Sequence, residues 1–287
     1  MFRLVNIDGR AALEHHGGWH DLARLAADES LSDPMTAVAR HRELHTLQER
    51  AAAASPDGAM ADATLGAPVP APRQCFGIGL NYKDHAAEAH ADTALPPAPL
   101  TFTKFPSCIA PPNANIPLSG AAVDWEVEIV AMIGEECAHV AVDGAWDVVA
   151  GLTLGQDVSD RAVQYTGSPP QFSLGKSFPN FGPIGPALVS TDAFPDRDDI
   201  ALWCDVSGER MQSARSSQLI FSIPTVVAYL SSITPLSPGD LIFTGTPAGV
   251  GAARGRFLAE GDVVVSGADV IGGLRNECVG GRPPLEL

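Results

Sequence analysis

The sequence predicts a mainly β protein with short helices, of the α+β class. Three observations carry this. From Leu100 onward, apolar and β-branched runs recur with turn residues about every ten positions. Helical spacing interrupts them only briefly, at Ala145–Ala150, Asp160–Tyr165 and Ser222–Ile233. The one pattern that invites a doubly wound dinucleotide fold, Gly77-x-Gly79, has Tyr82 at its third glycine position. No βαβ unit with a ribose-binding acid follows it.

Taken in order, residues 2–7 read as a strand that turns at Asp8-Gly9. A second strand around Ala12–His15 and a short helix from Asp21 follow. Met35–Ala54 has helical spacing and good helix formers, among them Leu44 and Leu47. His41 and His45 lie at i, i+4 on it, as a metal pair would. Neither is followed by glutamate as in HExxH, and a solvated helix face is the simpler reading. Ser55–Arg73, rich in Ala, Pro and Gly, reads as a linker. Residues 1–70 are thus expected to form a small N-terminal α+β domain with its linker, and 71–287 a larger second domain. Cys75–Leu80 reads as a buried strand. Asn81–Asp92 reads as a helix or mobile flap carrying His85 and Glu88 at i, i+3. That pair suits a general base and its orienting carboxylate, though such pairs are also common on helix surfaces. Strands are expected at Thr101–Phe105, Val123–Ile133, Ala138–Val142, Leu152–Val158, Ile184–Val189, Leu202–Val206, Leu241–Thr244 and Val263–Ser266. Ser222 is a plausible N-cap, with Pro224 in the first turn.

Composition narrows the function classes. With 45% hydrophobic and 18% charged residues in 287, the chain fits a folded globular class. Its net charge of −16 argues against nucleic-acid backbones and anionic membranes as partners. An acidic protein that takes an anionic substrate needs local positive charge, so Lys83, Lys104, Arg161 and Lys176 stand out. The five cysteines are scattered without a CxxC pair, which fits a reducing cytoplasm. No stretch is apolar enough to span a membrane, and the first residues lack the run of a signal peptide.

The acidic strand Asp124-Trp125-Glu126-Val127-Glu128-Ile129-Val130 is the most informative stretch. Strand alternation puts Asp124, Glu126 and Glu128 on one face, and Trp125, Val127 and Ile129 on the core side. Ranked carboxylates repel each other, so such a row is either solvated or neutralised by protons or a cation. Oxygen ligands suit Mg²⁺, Mn²⁺ or Ca²⁺. Asp157 ends a later strand, with Arg161 and Gln164 on the turns after it. Lys176 lies between glycine and proline breaks. Gly245-Thr246-Pro247-Ala248-Gly249 is a Gly-rich loop without the Gly-Lys-Ser/Thr ending of a P-loop. It suits close backbone approach to a ligand, or simply a tight turn.

Over residues 74–280 the chain resembles the fumarylacetoacetate hydrolase family. The resemblance runs through Gly79-Leu80-Asn81-Tyr82-x-Asp84-His85, Asp124-Trp125-Glu126-x-Glu128, Asp157-Val158-Ser159-x-Arg161-x-x-Gln164, Gly175-Lys176-Ser177-Phe178 and Thr244-Gly245-Thr246-Pro247-Ala248-Gly249-Val250. It implies a mixed β-sandwich roll, usually a homodimer, with Mg²⁺ or a similar ion on Glu126, Glu128 and Asp157. It also implies catalytic roles for His85, Glu88 and Lys176, and substrate contacts from Tyr82, Arg161, Gln164, Gly245 and Thr246. Lys104 is a weaker transfer, and Asp124 matches the motif without being a usual ligand. Ala162 departs from the family, where aspartate is frequent. The implied activity is metal-dependent C–C hydrolysis of acylpyruvate- or fumarylpyruvate-type 2,4-dioxo acids through a metal enolate. Alternatives are oxaloacetate decarboxylation, keto–enol isomerisation or dienoate hydration by the same enolate, or a catalytically silent metal-binding homologue.

Overall fold

The computed structural model describes residues 1–89 and 96–284. Its largest sheet runs in the order Gly58–Ala59, Gly18–Asp21, Arg10–His15, Arg3–Ile7, Gly182–Ser190, Val149–Gln156, Val127–Ile133, Leu241–Phe243, Cys75–Gly79, Leu100–Thr103. A five-stranded sheet runs Glu209–Arg215, Ala201–Val206, Val263–Ala268, Gly272–Gly280, Ile116–Leu118. Helices are short; the longest described, His41–Ala53, has 13 residues. The mainly β class with short helices is what the chain adopts.

Val127–Ile133 sits at the centre of the large sheet and is buried throughout. It pairs antiparallel with Val149–Gln156 on one side and Leu241–Phe243 on the other. Its alternation divides the core. Val127, Ile129, Ala131 and Ile133 share one apolar cluster with Leu202, Val206, Val264 and Leu274 of the five-stranded sheet. Val130 and Met132 share another with Leu31, Val38, Leu44 and Leu47 of the N-terminal segment. One face of the large sheet is therefore covered by a sheet and the other, in part, by helices. Glu126 and Glu128 follow the alternation of Val130 and Met132.

The N-terminal strands continue the same sheet, because Arg3–Ile7 pairs with Gly182–Ser190. The Pro-rich stretch 55–73 is packed: Leu65–Gly66 pairs with Arg3–Ile7, and Ala67 and Val69 are buried.

Several local expectations are corrected. The helix expected over Met35–Ala54 is two, Pro34–Ala39 and His41–Ala53, because Arg40 leaves helical geometry at φ −106°, ψ 26°. His41 is not on a solvated face. It is buried against Gly134, where any side chain would meet its ring at 2.6 Å. His41 lies near Glu135 and His45 near Asp192, so the two do not share a site. Ala138–Val142 forms no strand. The N–H groups of His139 and Val140 donate instead to Ser231 O and Oγ. A 3₁₀ turn, Val142–Val148, replaces the expected helix at Ala145–Ala150, and Val149 already belongs to a strand. Glu209–Arg215 and Gly272–Gly280 gave no strand signal, since charged residues and glycines outnumber β-branched ones there.

The expected strand Val123–Ile133 breaks at Trp125–Glu126 into Val123–Asp124 and Val127–Ile133. Side chains take over the ladder at the break. Trp125 N–H donates to Asp124 Oδ1, Glu126 N–H to Gln156 Oε1, and Val127 N–H to Gln212 Oε1. Trp125 is fully buried and its Nε1 donates to Gly249 O at 3.1 Å. We predict that Trp125→Ala lowers unfolding free energy by about 3–5 kcal/mol. Urea denaturation should show a lower midpoint with an unchanged slope.

Candidate metal centre and active site

Strand register brings the first two carboxylates together. Val127 pairs with Gln156 and Glu128 with Gly155, and beyond them Asp157 N–H donates to Glu126 O at 2.8 Å. Glu126 and Asp157 are therefore direct cross-strand neighbours, and Glu128 lies one repeat along the same face. Glu126, Glu128 and Asp157 each offer an oxygen within 4.8 Å of the others, and all three side chains are buried.

Three buried cations meet this cluster. Lys176 Nζ donates to Glu126 Oε2 at 2.7 Å, to Asp157 Oδ2 at 2.8 Å and to Ser159 Oγ at 2.8 Å. Its chain position depends on Gly175, where a side chain would strike Asp160 O at 2.8 Å and Gln164 N at 2.9 Å. Lys104, fully buried, donates to Asp157 Oδ1 at 2.6 Å and to the carbonyls of Lys176 and Phe181. Arg161 donates from Nε to Asp124 Oδ2 at 2.8 Å, from one terminal nitrogen to Glu126 Oε1 at 2.6 Å, and from the other to Gln164 Oε1 at 2.9 Å. Burial alone would push the Glu126 carboxyl up. The Lys176 and Arg161 charges outweigh it and hold the group down at about 2.

Glu128 is different. Among the described residues no Lys or Arg forms a salt bridge to it; the ion pairs of the cluster go to Asp124, Glu126 and Asp157. Its Oε2 accepts Gly245 N–H at 2.7 Å, from a backbone at φ +110° that favours glycine. Burial first, and then the Asp157 and Glu126 charges, push the Glu128 carboxyl well up. Four buried carboxylates, counting Asp124, thus face three cations. A dry cluster of hard oxygen donors, one negative charge in excess, fits a divalent cation.

A second group faces this floor across a cavity of about 610 Å³. The helix Lys83–Ala89 presents His85 and Glu88 to it, with His85 Nδ1 and Glu88 Oε2 3.4 Å apart. Glu88 also accepts Gly249 N–H at 3.0 Å. Burial pushes the Glu88 carboxyl up, but the His85 ring, the Gly249 amide and the Arg254 charge hold it below its ordinary value. A carboxylate thus backs one ring nitrogen of His85 and leaves the other for the cavity.

A family model described as the C-terminal domain of fumarylacetoacetate (FAA) hydrolase matches residues 74–279. The chain belongs to the fumarylacetoacetate hydrolase family. Human mitochondrial oxaloacetate tautomerase FAHD2A is 36% identical over 286 residues, covering 97% of this chain and 90% of the relative. The crystal structure of an HpcE candidate from Mycobacterium smegmatis superposes with a TM-score of 0.89 at 42% identity, covering 97% of this chain and 99% of the other. Maleylpyruvate hydrolase from a Sphingobium species, solved with manganese(II) and pyruvate, superposes with a TM-score of 0.80 at 27% identity, covering 98% and 100%. Enzymes of this family thus include a hydrolase and a tautomerase, and one holds a divalent metal.

Within this member of the fumarylacetoacetate hydrolase family, His85, Glu88, Glu126, Glu128, Arg161, Gln164, Lys176 and Thr246 all line the cavity. Tyr82, Gly245 and Asp157 do not; Asp157 lies fully buried behind the floor, with Lys104 on one carboxylate oxygen and Lys176 on the other. Tyr82 is buried in the core with its hydroxyl unpartnered, and Gly245 meets Glu128 only through its amide. Thr246 Oγ1 donates to Val127 O and accepts from Gln212, so its hydroxyl already has protein partners. Lys83 is exposed, outside the cluster. Asp124 holds Arg161 and the amides of Gly251 and Ala252. Ala162 is exposed, so aspartate there would face away from this cluster. The expected flap extends to Asp92, but its last three residues lie outside those described. Sequence reading undervalued Lys104 and missed Gln212. Lys104 had a faint signal as one of few basic residues; a lone glutamine in a polar strand gives none.

Glu128 generates a sharp prediction. Its folded pKa is raised above the ordinary 4.5, so any stability it confers is fully present below that value. That contribution is lost as the pH rises through the raised value. In EDTA, Glu128→Gln should therefore melt higher than wild type, by a margin that grows as the pH rises above the ordinary carboxyl range. The scale is roughly 2–4 °C per kcal/mol. Mg²⁺ or Mn²⁺ should raise the melting temperature of wild type and not that of the variant. Equal melting in EDTA as the pH rises would refute the excess-charge account.

Proposed function

We propose that this chain is a divalent-metal-dependent enzyme that forms the enolate of a 2-oxo acid and hydrolyses a C–C bond in acylpyruvate-type 2,4-dioxo acids. The observation that carries this is His85, backed by Glu88, facing the buried carboxylate cluster across one cavity. Magnesium or manganese held by Glu126, Glu128 and Asp157 would supply a Lewis acid for the substrate's 2-oxo oxygen and offset its charge.

The chain's own residues do the rest. Gln164 gives its carbonyl oxygen to Arg161, so its amide nitrogen is the end left to meet the substrate carboxylate. His85 takes a proton from water, Glu88 stabilises the imidazolium, and the water oxygen attacks the distal carbonyl carbon. The bond between C3 and C4 breaks and its electron pair passes to the pyruvate half as an enolate. Lys176 and Arg161 lie in that electrostatic field. Protonation at C3 releases pyruvate beside the new carboxylic acid. Five free thiols fit a reducing compartment, the cytoplasm in our reading. No described helix is long and apolar enough to cross a membrane. Exposed Phe105 and Leu174 support a homodimer.

A second reading is keto–enol tautomerisation of oxaloacetate, with His85 moving a proton at carbon instead of activating water. It is favoured by the relative of that name matched over 97% of this chain. Hydrolysis leads because the cavity holds far more room, and more apolar wall, than a four-carbon diacid fills.

The test is a Mg²⁺-supplemented panel of acylpyruvates and oxaloacetate, followed by loss of enol absorbance with product identification. EDTA should abolish turnover. His85→Ala should slow acylpyruvate cleavage by about 10²–10⁴-fold with metal affinity retained. Wild type that equilibrates oxaloacetate yet leaves acylpyruvates intact would overturn hydrolysis in favour of the second reading.

A further inference from the structure

The cavity has two unlike halves. Its floor holds the charged cluster. An apolar wall is built from Leu100, Phe102, Tyr165 and Phe172. Phe172 packs edge-on against Phe102 at 5.7 Å and Tyr165 at 6.3 Å, giving a continuous aromatic surface. Gly79 lies beneath it. A side chain there would begin 3.2 Å from Leu100 Cδ2 and 3.5 Å from Phe172 Cε2, so bare backbone keeps this end open.

Among the described residues Lys176 is the one cation shown against this wall, its Nζ 5.0 Å from the centroid of the Phe102 ring. The Lys and Arg residues lining the cavity are Arg161 and Lys176, and both belong to the floor; His85 lines it from the helix Lys83–Ala89. Lys176 spends its three N–H groups on Glu126, Asp157 and Ser159. Arg161 is bound to Asp124, Glu126 and Gln164. Arg254, just past lining residue Ala253, donates to Met211 O. Residues 90–95 contain no Lys or Arg; their ionisable residues are His90 and Asp92. A carboxylate placed against this wall would trade water for ring and aliphatic carbon with the Tyr165 hydroxyl as its one donor there and no paired charge, which is costly. A hydrocarbon group there gains by leaving water.

We propose that this wall is a subsite for an uncharged hydrocarbon substituent. The enzyme then takes 2-oxo acids ending in an alkyl or aryl group and discriminates against those with a second carboxylate at the far end. This rests on the reading above that the 2-oxo acid end sits at the carboxylate cluster. It separates the chain from its maleylpyruvate-hydrolysing relative, whose substrate ends in a carboxylate. Oxaloacetate is short enough to keep both carboxylates over the floor.

The test is titration calorimetry of the Mg²⁺-loaded protein with pyruvate, 2-oxobutanoate, 2-oxohexanoate and 2-oxoadipate. Affinity should rise about fourfold per added methylene along the first three. 2-Oxoadipate matches 2-oxohexanoate in length but ends in a carboxylate, and should bind more than about tenfold more weakly. Phe172→Ala and Gly79→Val, by opening and by filling the wall, should each collapse the ratio between the longest monoacid and pyruvate. Leu100→Arg should narrow the gap between 2-oxoadipate and 2-oxohexanoate. Equal or tighter binding of 2-oxoadipate by wild type overturns the proposal, as does a tail-length gain that survives both wall variants. A flat series with metal-dependent pyruvate binding sinks the wall alone. A tail-dependent series that survives Glu126→Ala upholds the wall and sinks the placement of the acid end.

Discussion

The constraint on which this structure turns is charge held out of water. Asp124, Glu126, Glu128 and Asp157 lie in a space with almost no solvent contact. Lys104, Lys176 and Arg161 are drawn in to meet them. Desolvating so many ions is tolerable only where each is hydrogen-bonded and nearly every charge has an opposite neighbour. The backbone accommodates this demand. The acidic strand splits at Trp125–Glu126, the chain around Gly175 closes to van der Waals limits, and side-chain amides of Gln156 and Gln212 stand in for missing strand partners.

The loop from Gly245 to Ala252 ties these demands together. Its amides meet Glu128, Glu88 and Asp124 in turn. One short run of backbone therefore touches the buried carboxylate cluster, the helix bearing His85 and Glu88, and the anchor of Arg161. Its glycines have a structural reason. At Gly245 a side chain would collide with Asn81, which opens the segment leading into that helix. The loop cannot shift toward one group without loosening its hold on the others.

Much of this was readable from the sequence, and the unreadable parts share a cause. Period-two alternation identified the strands that bury one clean face, and the acid row showed because repulsion makes it improbable without a purpose. Periodicity says nothing about polar side chains that replace backbone partners, so the break at Trp125 and the part played by Gln212 were hidden. His41 read as solvated because a helix pattern does not reveal that Gly134 opens a recess opposite it. Tyr82 lies within a matched motif yet packs into the core. A motif records which residues occur together, not which of them face the ligand.

The opposition of Glu126 and Asp157 across one antiparallel ladder has a consequence for how such a site changes over time. The two are set face to face by pairing, not by the length of chain between them. The exposed part of the connection, residues 141–143, can therefore lengthen or shorten while the acids stay opposed, provided the ladder from Val127 to Met132 keeps its partners. A slip of a single residue in that ladder would send Asp157 to the opposite face. The centre is insensitive to insertions in this exposed stretch and acutely sensitive to phase, so the stretch is where the chain has freedom to acquire new surfaces without disturbing its chemistry.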